Sequence, residues 1–296
     1  MDEKLKGKTF VVTGATSGIG LAVAGLLANR EAFVIGVGRS AERCAAAEAH
    51  LQSVYPRSQV AFCVADLSAQ GQVRSLAGEI RRQMAAHKAR ALDGLVNNAG
   101  TFTFRRSLTF DGIETQWAVN HLAPFLLTHE LLPLLKIAPA ARVVTVSSDS
   151  HYHTRLKWRD LQLQHGYNCL LAYQQTKLAN VLFSAELNRR LGAGSSMRAF
   201  AADPGLVKTE IGYKGNPGLV RWIWRLRVSA GVPAERPAEG IVFLATALPV
   251  QDSPEIYWKD CQPKMPSRYA LDAAAARRLW ELSERMCGIP AGTYLE

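Results

Sequence analysis

Thr13–Gly20 reads TGATSGIG, and the placement of this stretch decides the fold. It follows an apolar run, TFVVT at Thr9–Thr13, and opens a helical pattern, IGLAVAGLLANR. A strand that turns through glycines into a helix makes a phosphate site: backbone N–H groups at the helix start face the anion, and glycines let it approach. Here the glycines are Gly14, Gly18 and Gly20, spaced G-x-x-x-G-x-G rather than in the usual G-x-G-x-x-G order. On its own the spacing also suits a plain tight turn between strand and helix.

Outward from this loop, short apolar runs read as strands at Thr9–Thr13, Phe33–Val37, Val60–Val64, Leu92–Val96, Arg142–Val146 and Arg198–Ala202. Their near-continuous apolar character predicts burial on both faces. Helical patterns fall at Gly18–Arg30, Ala41–Tyr55, Gln70–His87, Gly112–Leu135, Leu171–Leu191, Pro237–Leu248 and Asp272–Met286. The alternation predicts an α/β fold, a doubly wound parallel sheet whose ligands lie at the carboxyl ends of its strands. No linker, repeat or composition break divides the 296 residues, so a single domain over 1–296 is expected.

Composition narrows the class. A content of 48% hydrophobic and 20% charged residues suits a globular chain with a large core. Cys44, Cys63, Cys169, Cys261 and Cys287 are scattered and form no C-x-x-C pair. That argues for reduced thiols in a cytoplasmic setting, with no disulfide framework and no metal site. The opening MDEKLKGKTF is charged and lacks the apolar core of a signal peptide. The net charge of +10 comes from dispersed basic residues without a nucleic-acid module, which predicts a solvated basic surface and no nucleic-acid partner. His151 and His153 form H-x-H without accompanying ligands, so a loop pair near the cleft is expected. SSDSH holds Ser, Asp and His, but no G-x-S-x-G elbow supports a hydrolase.

One further constellation carries chemistry. YQQTK sets Tyr173 and Lys177 one helical turn apart on the same face. Upstream, Ser147 and Ser148 close the strand RVVTV with side chains on opposite sides, and Asn120 lies within WAVNHL.

Together these motifs resemble the short-chain dehydrogenase/reductase superfamily, whose signature is T-G-x-x-x-G-x-G. NNAG at Asn97–Gly100, Asp66 closing the third strand in CVADLS, and DPGLVKT at Asp203–Thr209 match its later motifs. The resemblance implies a Rossmann-type sheet of about seven strands with helices on both faces. It places Gly14, Thr16, Ser17, Gly18, Ile19 and Gly20 on the pyrophosphate side of a dinucleotide, and Asp66 and Leu67 near its adenine. Asn98, Ala99 and Gly100 complete the cradle, with Pro204, Gly205, Val207 and Thr209 close to the nicotinamide. Asn120, Ser148, Tyr173 and Lys177 match the family's catalytic tetrad, Tyr173 and Lys177 also touching the cofactor. In that scheme Tyr173 is the proton donor, Ser148 holds the substrate oxygen and Asn120 holds a relay water. The Lys177 ammonium is expected to lower the Tyr173 pKa and to contact the ribose.

After the second strand, VIGVGRS offers Gly38, Arg39 and Ser40 and no acid to take a ribose 2′-OH. An Arg pairs a 2′-phosphate through forked hydrogen bonds, so NADP(H) is the expected cofactor. The likeness is strongest to the retinol-dehydrogenase-like group, through VVTVSSDSHY, YQQTKLANVLFSAEL, FDGIETQWAVNHLAPFLLTHELLPLL and the tail IYWKDCQP with RRLWELSERMCGI. The expected function is hydride transfer between nicotinamide and a small-molecule carbonyl or alcohol. A non-catalytic NADP(H)-sensing protein is the rival reading. A substrate lid is expected near 206–232, where Trp222, Trp224 and Leu226 supply apolar surface and Arg221, Arg225 and Arg227 carry charge. The W-x-W and R-x-R spacing leaves lid, core-packed helix and contact with anionic lipid all open. The family's habits leave a homodimer or homotetramer open too.

Overall fold

The computed structural model describes residues 4–207, 232–251 and 253–293. Parallel strands β1 (Thr9–Thr13), β2 (Phe33–Gly38), β3 (Gln59–Val64), β4 (Gly94–Asn97), β5 (Arg142–Val146), β6 (Arg198–Asp203) and β7 (Tyr257–Lys259) form one sheet. A short antiparallel strand, β8 (Gln262–Pro263), closes its edge, and the order is 3-2-1-4-5-6-7-8. The sheet therefore has one strand more than expected. Neither β7 nor β8 is long enough to carry a periodic signal.

Strand residues alternate between two cores, as a sheet covered on both faces requires. Val11, Leu95, Val143 and Ala199 enter one core, while Val12, Val96, Val144 and Phe200 enter the other. The first core is closed by α3 (Gln70–Ala86), α4 (115–137), α5 (Cys169–Leu191) and α7 (Ala273–Met286). The second is closed by α1 (Gly18–Asn29), α2 (Ala41–Val54) and α6 (Glu235–Thr246). Helix α4 is composite: α-helical at Thr115–Trp117 and Ala123–Ile137, with a π-helical turn at Ala118–Leu122 between them.

Local hydrogen bonds move two helix starts from their expected places. Gly112 lies at φ +72 in a turn, and the Glu114 carboxylate caps α4 by accepting from the Trp117 N–H at 2.8 Å. Asn168 accepts from the Leu171 N–H at 2.9 Å, which starts α5 at Cys169, ahead of the apolar run. β1 and β4 are neighbours, and the strand order reverses between them. The crevice beyond their carboxyl ends is the ligand position of a doubly wound sheet. No helix among the described residues is long and apolar enough to cross a membrane.

Candidate active site

The glycine loop sits in that crevice, locked to the segment after β4. Thr13 Oγ1 accepts from the Asn98 and Ala99 N–H groups, both at 3.0 Å. In return the Asn98 amide donates to the Thr13 carbonyl at 2.8 Å and the Gly14 carbonyl at 3.4 Å. A Cβ at Gly14, which lies at φ +68, would stand 3.0 Å from Ala99 Cα and from Asn98 Nδ2. At Gly20 a Cβ would overlap the Gly14 carbonyl oxygen. The glycines thus allow the loop to fold tightly onto NNAG. Ser17 precedes α1 without a side-chain cap, and no acid occupies the first turn of that helix. Its N–H groups remain available to an anion, so this cradle fits a dinucleotide pyrophosphate.

The rim of the cradle follows the sequence with one shift. β3 ends at Val64, and Asp66 lies beyond it in the turn to α3, where one carboxylate oxygen accepts from the Ser68 N–H at 2.9 Å. Leu67 is partly buried against the first core. Arg39 is exposed at the end of β2, while the Ser40 hydroxyl accepts from the Arg43 N–H at 3.3 Å and caps α2. Gly38 has a steric cause: a Cβ there would overlap the Thr16 methyl and lie 2.7 Å from Cys44 Sγ. No acid can stand at that position without displacing both neighbours.

The reacting groups converge at the carboxyl end of β5. Ser147 is buried and donates to the Lys177 carbonyl at 2.7 Å, which anchors α5 to the strand. Ser148 points the other way, toward Tyr173, as adjacent strand residues must. Tyr173 is half-buried, with Phe102 edge-on at 5.6 Å between ring centroids. Lys177 is buried, donates to the Val146 carbonyl at 3.0 Å, and holds its ammonium 5.3 Å from the centre of the Tyr173 ring. Asn120 lies in the π-helical turn of α4. Its side chain accepts from the Thr101 N–H at 2.7 Å and donates to the Thr101 carbonyl at 3.0 Å.

The electrostatics reverse one expectation. Burial pushes the Tyr173 hydroxyl up to about 12, with the Ser148 side chain pulling against that rise. Burial also brings Lys177 down to about 8. Lys177 lies over the ring rather than at the hydroxyl, so its ammonium does not offset the desolvation of the phenol.

Beyond β6, Gly205 lies at φ +68 after Pro204, and its N–H donates to Asp203 Oδ1 at 3.0 Å. Val207 bridges to Val232. Thr209 and the expected lid residues of Tyr213–Val228 lie outside the described residues.

Comparison with known proteins agrees with this arrangement. The family model of the short chain dehydrogenases matches residues 8–218. The chain belongs to the short-chain dehydrogenase family. It is 34% identical over 287 residues to retinol dehydrogenase 11 of Mus musculus, covering 97% of this chain and 88% of that protein. An uncharacterized protein from Mycobacterium Paratuberculosis shares its structure at a TM-score of 0.74, with 34% identity over 97% of this chain and 96% of the other. The L-sorbose reductase of Gluconobacter frateurii, solved with NADPH and L-sorbose, shares the fold at a TM-score of 0.68. Its identity is 22%, over 88% of this chain and 97% of that one.

In this short-chain dehydrogenase several supporting residues escape a reading of the sequence. Thr13 and Asn180 look like ordinary strand and helix residues, yet Thr13 locks the loop and Asn180 shares the Val146 carbonyl with Lys177, at 3.2 Å. His151 is fully buried; it bonds the Ser148 carbonyl through Nδ1 at 2.8 Å and accepts from the Ser267 N–H at 3.1 Å. Both nitrogens are engaged, Nε2 as acceptor, so the ring is neutral and holds the serine's backbone. His153 is exposed. Sequence spacing carries no signal for these long-range bonds.

Proposed function

We propose that this short-chain dehydrogenase is an NADP(H)-dependent oxidoreductase that interconverts a carbonyl and a primary or secondary alcohol on an apolar substrate. The observation that carries it is the convergence of Ser148 and Tyr173 beside Lys177, at the carboxyl end of a strand in the glycine-cradle sheet. Gly14, Gly18 and Gly20, with Asn98, Ala99 and Gly100, would hold the dinucleotide, and Arg39 would take the 2′-phosphate. When bound, the nicotinamide supplies or accepts the hydride. Ser148 holds the substrate oxygen by a hydrogen bond. Tyr173 gives its proton to that oxygen in reduction and recovers one in oxidation, and Lys177, held by the Val146 carbonyl beside the Tyr173 ring, would contact the ribose of the bound dinucleotide. Asn120, tied to Thr101 at both ends of its amide, fixes the π-helical turn beside this centre. NADPH in the sorbose reductase, which shares the fold, adds support for the cofactor.

The two serines separate the roles of fold and chemistry. Ser148→Ala is expected to lower kcat/KM by about 10²–10³, the scale of losing one hydrogen bond to a developing oxyanion. Ser147→Ala removes only the bond to the Lys177 carbonyl, so it should lower stability by about 1 kcal/mol and leave kcat near that of the parent. The reverse ranking in steady-state kinetics and thermal melts assigns the reaction to Ser147.

Cofactor choice is tested at Arg39, since a side chain at Gly38 would also displace Thr16 and Cys44. A charge-assisted Arg–phosphate bond contributes about 1.5–3 kcal/mol, which corresponds to a preference of about ten- to a hundredfold for NADPH over NADH. Arg39→Leu should abolish that preference in kcat/KM at fixed salt. An unchanged ratio means Arg39 does not read the phosphate.

The overall reading is tested with a panel of aldehydes, ketones and alcohols followed at the NADPH absorbance band. Phe102 and Phe104, at 5.1 Å between centroids, add apolar surface next to Tyr173, so long apolar carbonyls are expected to exceed short hydrophilic ones in kcat/KM. Equal values across chain length remove the apolar pocket. NADPH binding without turnover across the panel supports a sensor instead.

A further inference from the structure

We propose that Lys264 is a positioning residue for the reacting centre: its ammonium clamps the turn after Ser148 to the turn that opens the Pro204–Gly205 loop. The proposal rests on Ser148 and Tyr173 being the reacting pair.

β5 and β6 are adjacent parallel strands, in register through Val146 and Ala202. A carboxylate lies at the end of β6 and another in the turn just past β5. Asp149 follows Ser148 directly, and Asp203 is the last residue of β6, one position before Pro204. The Asp203 side chain is 1% exposed and also accepts from the Gly205 N–H, so its charge bears directly on the loop. The Asp149 and Asp203 carboxyl groups also contact each other directly, and ionised together they repel unless a cation lies against both.

The edge of the sheet supplies it. Lys264, one residue past β8, pairs with Asp149 and reaches Asp203 Oδ2 at 3.2 Å. Lys259 in β7 stands farther off, at 3.4 Å from Asp149 and 3.7 Å from Asp203. Two carboxylates and two ammonium groups balance, and Lys264 is the closer bridge to both acids. Neighbouring bonds tie the turn after Ser148 to the sheet edge that carries Lys264. The Tyr152 hydroxyl donates to the Met265 carbonyl, the Ser267 N–H to His151, and the Tyr257 hydroxyl to Asp149 at 3.4 Å. The Asp203 charge is felt at the centre itself: after burial and the opposing Ser148 bond, it too raises the Tyr173 hydroxyl.

The clamp therefore sets the distance between the serine that holds the substrate oxygen and the loop expected to border the nicotinamide. A misplacement of about 1 Å between reacting partners costs about a hundredfold in rate. Lys264→Met keeps the length of the side chain and removes its charge. It should lower kcat by about ten- to a hundredfold and change KM for NADPH by less than about twofold, because the glycine cradle is untouched. Lys264→Arg should stay close to the parent. Asp149→Asn breaks the same bridge from its other end, so adding Lys264→Met to Asp149→Asn should lower kcat by less than about threefold further. Parent-like kcat in Lys264→Met, or fully additive losses in the double variant, overturns the proposal.

A structural readout stands apart from activity. In crystal structures of the parent and Lys264→Met, the separation of Ser148 from Gly205 should widen by about 0.5–1 Å, the scale at which reaction geometry fails. An unchanged separation overturns the clamp whatever the kinetics show. If the parent turns over no carbonyl, the proposed activity fails, and the crystal comparison still decides whether Lys264 holds the two turns. Should Lys264→Met not fold, Asp149→Asn, which breaks the bridge at its other end and keeps Lys264, gives the same comparison of kcat and of the Ser148–Gly205 separation.

Discussion

Tyr173→Phe is expected to lower kcat by about 10²–10⁴, the range attributed to a positioned general acid, while NADPH binds as in the parent. The substitution deletes one oxygen and keeps the ring, so the edge-on contact with Phe102 and the Lys177 ammonium over the ring face both survive. What disappears is the proton for the substrate oxygen. The hydroxyl stands at about 12 in a buried site, so it is protonated at neutral pH and ready to donate in the reducing direction. Alcohol oxidation requires the phenolate and should run faster as pH rises. NADPH titration by fluorescence and single-turnover kinetics separate binding from chemistry. Activity in the phenylalanine variant within about threefold of the parent removes Tyr173 from the acid role.

Gly20→Ala is expected to abolish tight NADPH binding and lower stability together. The added methyl would overlap the Gly14 carbonyl oxygen and stand 2.5 Å from Asn98 Nδ2. Neither can yield cheaply, because the Asn98 amide is bonded to the Thr13 carbonyl and Gly14 is backbone. Overpacking costs about 1–3 kcal/mol in a side-chain core, and a backbone clash belongs at the upper end. If the loop opens to relieve it, about 2.8 kcal/mol of lost binding corresponds to a hundredfold weaker Kd. Gly71→Ala is the matched control: it lies in the first turn of α3, and a Cβ there meets nothing within 4 Å. Its melting temperature and NADPH affinity should equal or slightly exceed the parent's. Unchanged NADPH affinity in Gly20→Ala means the cradle lies elsewhere.

The sequence by itself determined the first six strands of the sheet and located most of the residues gathered at the candidate site. Continuous apolar runs and helical periodicity are local properties, so β1–β6 and the helices between them can be read from their own residues. Thr13–Gly20, Asn97–Gly100 and Tyr173–Lys177 are legible for the same reason, since each motif lies within one turn or loop. Opposite orientation of Ser147 and Ser148 follows from strand geometry alone.

Only the tertiary structure decided the rest, because it depends on groups far apart in the chain. β7 and β8 are too short to show a period and exist because β6 offers an edge. The lock between Thr13 and Asn98 joins positions 85 residues apart. The bonds from Asp149 to Lys264 and from His151 to Ser267 span 115 and 116. Desolvation is likewise a property of the packed centre: Lys177 one turn from Tyr173 suggests an acidified phenol, yet burial raises the hydroxyl and lowers the ammonium. The absence of an acid at Gly38 reads from the sequence as a preference for phosphate. Packing adds the cause, since the Thr16 methyl and the Cys44 sulfur already fill the place a side chain would take.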